Sequence, residues 1–364
     1  MNERAQHLAG QAVINNHLSA HGPYLKQFEA SLSTLVGRPV VALNSGTSAI
    51  HLALVALGVT AGQEVLCSDF TFAATAFPIA YQGAQPVFVG CEANSWNMCP
   101  ELLHQAIKHR MRVNKKPAAI LLAHIYGVPA NIEAIRQLSA QYNIPLVEDA
   151  AEAMGSTVGG KMLGTFGQYG VWSFNGNKSI TTGGGGAIIC PDQAAAAHIQ
   201  KLAAQAKEDA PHYEHHHIGY NYRMNNLAAS IGVAQLEVFE RYTQSRREVY
   251  HQYQQALGNG QTTLQFVPEG PEVYSNRWLT CVCPEATHHA PLALEVMQQL
   301  HAQKIEVRLL WKPMSQQKVY KNAVVFDNGI ASRLFQYGLC LPTGPHLDQH
   351  DVHRVIAAVK ACYS

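Results

Sequence analysis

Between Val40 and Asn175, apolar runs of strand length alternate with stretches of helical periodicity, and this alternation constrains the chain more than any other feature. The runs are VVALNS (Val40–Ser45), EVLC (Glu64–Cys67), QPVFVG (Gln85–Gly90), AAILLAHI (Ala118–Ile125), IPLVED (Ile144–Asp149) and GVWSFN (Gly170–Asn175). Between them lie helical patterns such as Pro100–Arg110 and Asn131–Tyr142. Near-continuous apolar strands that alternate with helices predict an α/β sheet, mostly parallel and covered on both faces. The length, 364 residues, exceeds one small core, so we expect a large α/β domain over residues 1–240 and a smaller C-terminal α+β domain over residues 241–364. A continuous helical pattern from Met224 to Gln255 reads as a spacer. Beyond it, Asn276–Cys283, Leu294–Lys304 and Ile305–Trp311 read as strand, helix and strand.

Composition excludes several functions. A net charge of +1 argues against a nucleic-acid partner. The basic cluster Lys108–Lys116 reads as a solvated helix face. No apolar run is long enough to span a membrane, and the N-terminus lacks the apolar core of a signal peptide. The eight cysteines are scattered without a C-x-x-C pair, which fits a reducing cytoplasm and no structural zinc. The histidines of HYEHHHIGYNYR (His212–Arg223) cannot converge on one point from a regular element, so no metal is expected.

Three motifs carry chemistry. In NSGTSAIHLALVAL (Asn44–Leu57) a strand ends, Gly46 permits a tight turn, and a helix begins at Thr47 or Ser48. Its free N–H groups suit a phosphate, although on this motif alone a plain helix cap at Ser45, Thr47 or Ser48 is the better reading. In LVEDAAEAMGS (Leu146–Ser156) a strand runs straight into Glu148 and Asp149, where α/β sheets bind ligands, although Asp149 could instead cap a helix. In SFNGNKSITTGGGG (Ser173–Gly186) a single lysine, Lys178, precedes four glycines, and a lysine amine forms Schiff bases with carbonyls. The spacing is not that of a nucleotide P-loop. In this order the motifs answer the needs of pyridoxal phosphate: a helix N-terminus for the phosphate, a carboxylate for the ring nitrogen and a lysine for the aldehyde.

Over nearly its whole length the chain resembles the pyridoxal phosphate-dependent nucleotide-sugar aminotransferases of the DegT/StrS family. The resemblance rests on NSGTSAIHLAL, DFTFAATAFPIAYQGAQPVFV, EDAAEAMGS, GKMLGTFGQYGVWSFNGNKSITTGGGGAI, EHHHIGYNYRMNNLAASIGVAQLE, NRWLT, LLWKPM and GLCLPTG. It implies a fold-type-I aminotransferase, with a large mixed, mostly parallel sheet domain and a smaller C-terminal α+β domain. It further implies that Lys178 bonds the cofactor and moves the proton at the sugar carbon, and that Asp149 meets the ring nitrogen. Thr47, Ser48 and Ser173 would hold the phosphate, Phe72 would stack on the ring, and Glu152 would lie near the ring hydroxyl. Asn221 would reach the cofactor of a neighbouring subunit, so a homodimer with shared active sites is implied. Arg308 and Trp311 would contact the nucleotide-sugar, although an ordinary strand of the small domain is an equally fair reading of both.

Two positions depart from the family pattern: many members carry Gln at the position of Glu152, and WKPM is often followed by His where this chain has Ser315. SFNGNK and WKPM most resemble enzymes acting on a UDP-linked 2-acetamido-4-keto-2,6-dideoxyhexose. The implied reaction is therefore transfer of an amino group from L-glutamate, giving a 4-amino sugar of the bacillosamine kind for bacterial glycans. The alternatives are a dTDP- or GDP-linked 3-keto or 4-keto sugar and, from another class, a non-catalytic regulatory or binding protein of the same fold. Lys178 argues against the related sugar dehydratases, in which His replaces the lysine.

Overall fold

A computed structural model describes residues 2–258, 260, 262, 264–285 and 290–363. Its main sheet has eight strands in the order Val40–Leu43, Gly186–Ile189, Tyr169–Ser173, Leu146–Asp149, Ala119–Ala123, Glu64–Ser68, Gln85–Val89 and Val324–Phe326. Gly186–Ile189 runs antiparallel to both its neighbours, and every other pairing in this sheet is parallel. The central strands are buried along their length, which is why their sequences are apolar runs rather than alternations. One core packs the helix Gly46–Ala56 against one face of the sheet. Two others cover the opposite face, one of them containing the helix Asn226–Leu236.

A second sheet of four antiparallel strands, ordered Leu264–Phe266, Thr280–Pro284, Leu339–Leu341 and Arg308–Leu309, has its own core with helices Ala293–Ala302 and Gln349–Cys362. Between its strands the chain sends Val324–Phe326 back to pair with Val87–Val89 at the edge of the main sheet. No helix among the described residues is long and apolar enough to cross a membrane.

Several sequence expectations change. The pattern from Met224 to Gln255 is two helices, Asn226–Leu236 and Phe239–Leu257, broken where Val238 leaves the helical region and the Phe239 ring packs over Gly155. The first of them is no spacer, because it packs on the N-terminal helices Glu3–Ile14 and Pro23–Val36. The cluster Lys108–Lys116 is not wholly solvated: the Arg110 guanidinium is buried and donates two 2.7 Å hydrogen bonds to Glu64. The strand expected over Ala118–Ile125 ends at Ala123 and turns through Tyr126, at φ 55°. The strand expected over Asn276–Cys283 begins only at Thr280, because Arg277, at φ 48°, turns the chain first. Of Ile305–Trp311 only Arg308–Leu309 pairs as strand.

Candidate active site

The carboxyl ends of the parallel strands converge on one cavity of about 530 Å³, the position expected for a ligand in an open α/β sheet. Asn44 and Ser45 follow the first strand. Thr71, Phe72 and Thr75 follow Glu64–Ser68, and His124 follows Ala119–Ala123. Asp149 ends its own strand, and Ser173 leads to Lys178.

At one end of the cavity the helix starts at Gly46, one or two residues earlier than the sequence suggests, with Ser45 as its cap accepting the Ser48 N–H at 3.0 Å. The Ser48 hydroxyl is turned to the capping turn, donating to Asn44 Oδ1 at 2.6 Å, and Ser48 does not line the cavity. The N–H groups of Gly46 and Thr47 have no acceptor among the described residues. The glycine run explains itself here. Gly183 has φ 81°, and a Cβ on Gly186 would collide with the Ser45–Gly46 backbone.

On the sheet side, Asp149 is buried and accepts from the Thr75 hydroxyl at 2.7 Å and the Ala151 N–H at 3.1 Å. Burial pushes its carboxyl up from the usual range, against the pull of Thr75, Ala151 and the charge of Lys178. The preceding Glu148 is buried too, but it accepts from His124 Nε2 and from the N–H groups of Gly164, Phe166 and Gly167. Burial would raise it, yet these bonds outweigh burial and hold it below the ordinary range.

Lys178 Nζ lies 3.3 Å from Glu152 Oε1 and 4.0 Å from the centre of the Trp278 ring. Glu152 Oε2 accepts the Tyr126 N–H at 2.7 Å, and burial raises the Glu152 carboxyl although Lys178 opposes it. Behind the lysine, the Arg246 guanidinium donates at 3.3 Å to the carbonyls of both Lys178 and Ser179, and burial lowers it to about 10. Asn276 and Trp278 tie the C-terminal part of the chain to this loop: Asn276 Nδ2 donates to the carbonyls of Glu152 and Met154, and Trp278 Nε1 to that of Asn177 at 2.7 Å.

The opposite wall is aromatic. Phe72 and Trp311 have ring centroids 5.2 Å apart, and Trp311 stacks on Tyr126 at 5.8 Å. Arg308 lines the same cavity and pairs with Glu306 at 2.7 Å, both well exposed.

Thr47, Phe72, Asp149, Glu152, Ser173, Lys178, Arg308 and Trp311 thus line one cavity, whereas Ser48 and Asn221 do not. Asn221 is exposed, and its carbonyl accepts from Asn44 Nδ2 at 3.2 Å. Sequence reasoning missed Thr75, His124, Asn276 and Trp278. Asn276 and Trp278 sit within NRWLT and Thr75 within DFTFAAT, so those three had a signal, whereas His124 lies in none of the family-like motifs.

Three features fit pyridoxal phosphate. Two unpartnered N–H groups and the positive end of a helix dipole face the cavity beside Ser173, where a Cβ at position 46 would sit tightly, 3.2 Å from Ser173 Cβ. Asp149 is a buried carboxylate that forms no ion pair among the described residues and is short of donors. Lys178 brings a primary amine to the same space.

The family model of the DegT/DnrJ/EryC1/StrS aminotransferases matches residues 1–360. EpsN of Bacillus subtilis (strain 168), by name a pyridoxal phosphate-dependent aminotransferase, is 40% identical over 98% of this chain and 92% of its own length. The GDP-perosamine synthase of Escherichia coli O157:H7 is 32% identical over 97% of this chain and 94% of its own. The crystal structure of a DegT/DnrJ/EryC1/StrS aminotransferase from Brucella abortus superposes with a TM-score of 0.92 at 26% identity, covering 99% of this chain and 95% of that one. With the cavity, its lysine and its acidic partner in place, the chain belongs to the DegT/DnrJ/EryC1/StrS family of pyridoxal phosphate-dependent sugar aminotransferases.

Proposed function

We propose that this aminotransferase moves an amino group from L-glutamate to the 4-keto carbon of a UDP-linked 2-acetamido-2,6-dideoxy-4-keto-hexose, giving a 4-amino sugar. The observation that carries the reaction is the placement of the Lys178 amine, 3.3 Å from Glu152 Oε1, in the cavity that also holds Asp149 and the free N–H groups of Gly46 and Thr47. Pyridoxal phosphate, when bound, supplies an electron sink that stabilises a carbanion beside its imine. The chain does the rest. Gly46, Thr47 and Ser173 would hold the phosphate, and Asp149 would keep the ring nitrogen protonated. Lys178 would hold the cofactor through its amine and would be the group to move the proton at the reacting carbon. Trp278 steadies the lysine while it is charged, and Glu152 accepts from it. Phe72 and Trp311 wall one side of the cavity.

Glu152 and the motifs SFNGNK and WKPM support the UDP-linked substrate. A GDP-linked keto sugar is the second reading, favoured by the similarity to GDP-perosamine synthase. The exposure of Asn221 outside this chain's own cavity supports a homodimer in which it serves the neighbouring site. The core of the four-stranded sheet, drawn from residues between Val249 and Val359, supports a unit over 241–364, and the eight-stranded sheet supports one over 1–240, with Met314 and Tyr320 crossing into the core of the larger sheet. Free cysteines, nearly all buried, support a reducing cytoplasm.

The test is the visible absorbance of the holoenzyme. L-glutamate should bleach the band of the lysine-bound cofactor, and the UDP-4-keto sugar should restore it. Bleaching that only a GDP- or dTDP-linked keto sugar reverses would replace the substrate. A Lys178→Ala protein that keeps the band would refute the assignment of the lysine.

A further inference from the structure

The loop that carries Phe72 begins at Asp69, a buried residue whose side-chain hydrogen bonds among the described residues all come from Ser315. Oδ1 accepts the Ser315 N–H at 2.7 Å, and Oδ2 accepts its hydroxyl at 2.9 Å. The Asp69 carbonyl accepts the Met314 N–H at 2.8 Å. The segment that follows Trp311 is therefore fastened to a single residue by three bonds. At its other end the Trp311 N–H donates to the Tyr126 hydroxyl at 2.8 Å. Trp311 sits between two fixed points, and one of them is the start of the loop whose Phe72 it touches.

Ser315 stands where relatives often carry His, so the sequence suggests a changed substrate contact. The geometry points elsewhere. We propose that Asp69 and Ser315 form a positioning clamp that sets the gap between Phe72 and Trp311, and so fixes the wall against which the amino-acceptor sugar lies. Ser315 acts through Trp311 rather than by touching the sugar. A hydroxyl on Cβ is short enough to reach one oxygen of Asp69 while the same residue's N–H takes the other. The N–H bond belongs to the backbone, so the hydroxyl bond is the part of the clamp that the side chain decides. This inference rests on the keto-sugar reading above.

The experiment measures the two half-reactions of the holoenzyme separately, in wild type, Ser315→Ala and Ser315→Thr. Alanine removes one charge-assisted bond, so the KM of the keto-sugar half-reaction should rise about five- to tenfold while its limiting rate changes less than about twofold. The glutamate half-reaction, read by bleaching of the cofactor band, should not change. Threonine keeps the hydroxyl and should restore the sugar KM. Equal effects on both half-reactions, an unchanged sugar KM in the alanine variant, or no rescue by threonine would each overturn the clamp. Failure of the wild type with the UDP sugar is a different result. It overturns the substrate reading, and the same comparison on the GDP- or dTDP-linked sugar that does react then decides the clamp.

Discussion

Asp149→Asn should make the cofactor-free protein more stable while disabling the enzyme. Among the described residues the buried carboxylate receives only the Thr75 hydroxyl and the Ala151 N–H. Each bond to a charged group returns about 1.5–3 kcal/mol, whereas burying one ion costs several kcal/mol after relaxation. The Asp149 charge is thus left undercompensated, in line with its raised carboxyl. Asparagine can keep both bonds without the charge. Its oxygen accepts from Ala151, and its amide donates to Thr75, which in turn can donate to Thr71 across 2.7 Å. The expected gain is about 1–3 kcal/mol at about pH 8.

The sign with pH follows from linkage. A raised folded-state value means that the native state favours the protonated group. The wild type therefore carries no penalty below the usual aspartate value of about 3.9 and loses stability as pH rises through the higher folded value. The asparagine variant lacks that loss, so its advantage should shrink towards acid. Urea unfolding of both proteins without cofactor, at about pH 8 and about pH 5, measures the two gaps. In the holoenzyme the same change should lower kcat by about 100-fold or more, the scale of losing a preorganised charge at a reacting centre. A variant no more stable than wild type at the higher pH, or a gap that does not narrow in acid, would refute the account of Asp149 as a carboxylate waiting for a cationic partner.

The neighbouring carboxylate should behave oppositely. Glu148→Gln places an amide nitrogen among four donors and should destabilise the protein by about 2–4 kcal/mol in urea unfolding. Because Glu148 is held below its ordinary value, its contribution in the wild type is present above about pH 4.3 and should be lost as pH falls through the lower folded value. Ser45→Ala removes the cap of the helix that opens at Gly46 and should cost about 1 kcal/mol by the same assay. It should also weaken pyridoxal phosphate binding, read by fluorescence titration, because the free N–H groups then lose their fixed direction.

The main sheet was legible because each central strand is buried on both faces and writes itself as an apolar run. Lys178, Asp149 and Thr47 were legible for a related reason: each lies within a few residues of a strand's carboxyl end, and local order in the chain places it. Contacts made across long separations were not. Trp278 reaches Lys178 because Arg277 takes a positive φ, a turn that the apolar pattern of NRWLTCVC hides. Val324–Phe326 joins the main sheet by pairing with residues far earlier in the chain, and its own sequence does not name that partner. Arg110 belongs to a basic run, but it is buried because Glu64, at the start of another strand, needs two donors.

The pair Glu148–Asp149 shows where local legibility ends. Successive strand residues point to opposite faces, so one strand end delivers two carboxylates into different surroundings. The sequence does not say which of them is structural. That is decided by the turn after Gly164, whose N–H groups converge on Glu148, and by His124. The Ala130 N–H donates to His124 Nδ1 at 3.1 Å, so the ring proton sits on Nε2, which faces Glu148. The His124 N–H donates to the Asp149 carbonyl at 3.0 Å, but its ring, which lines the same cavity, has no hydrogen left for the Asp149 carboxylate. Among the described residues four donors meet the first carboxylate and only two, Thr75 and Ala151, meet the second. The partner that completes the second has to come from the cavity itself, and a protonated ring nitrogen is the group that would do so.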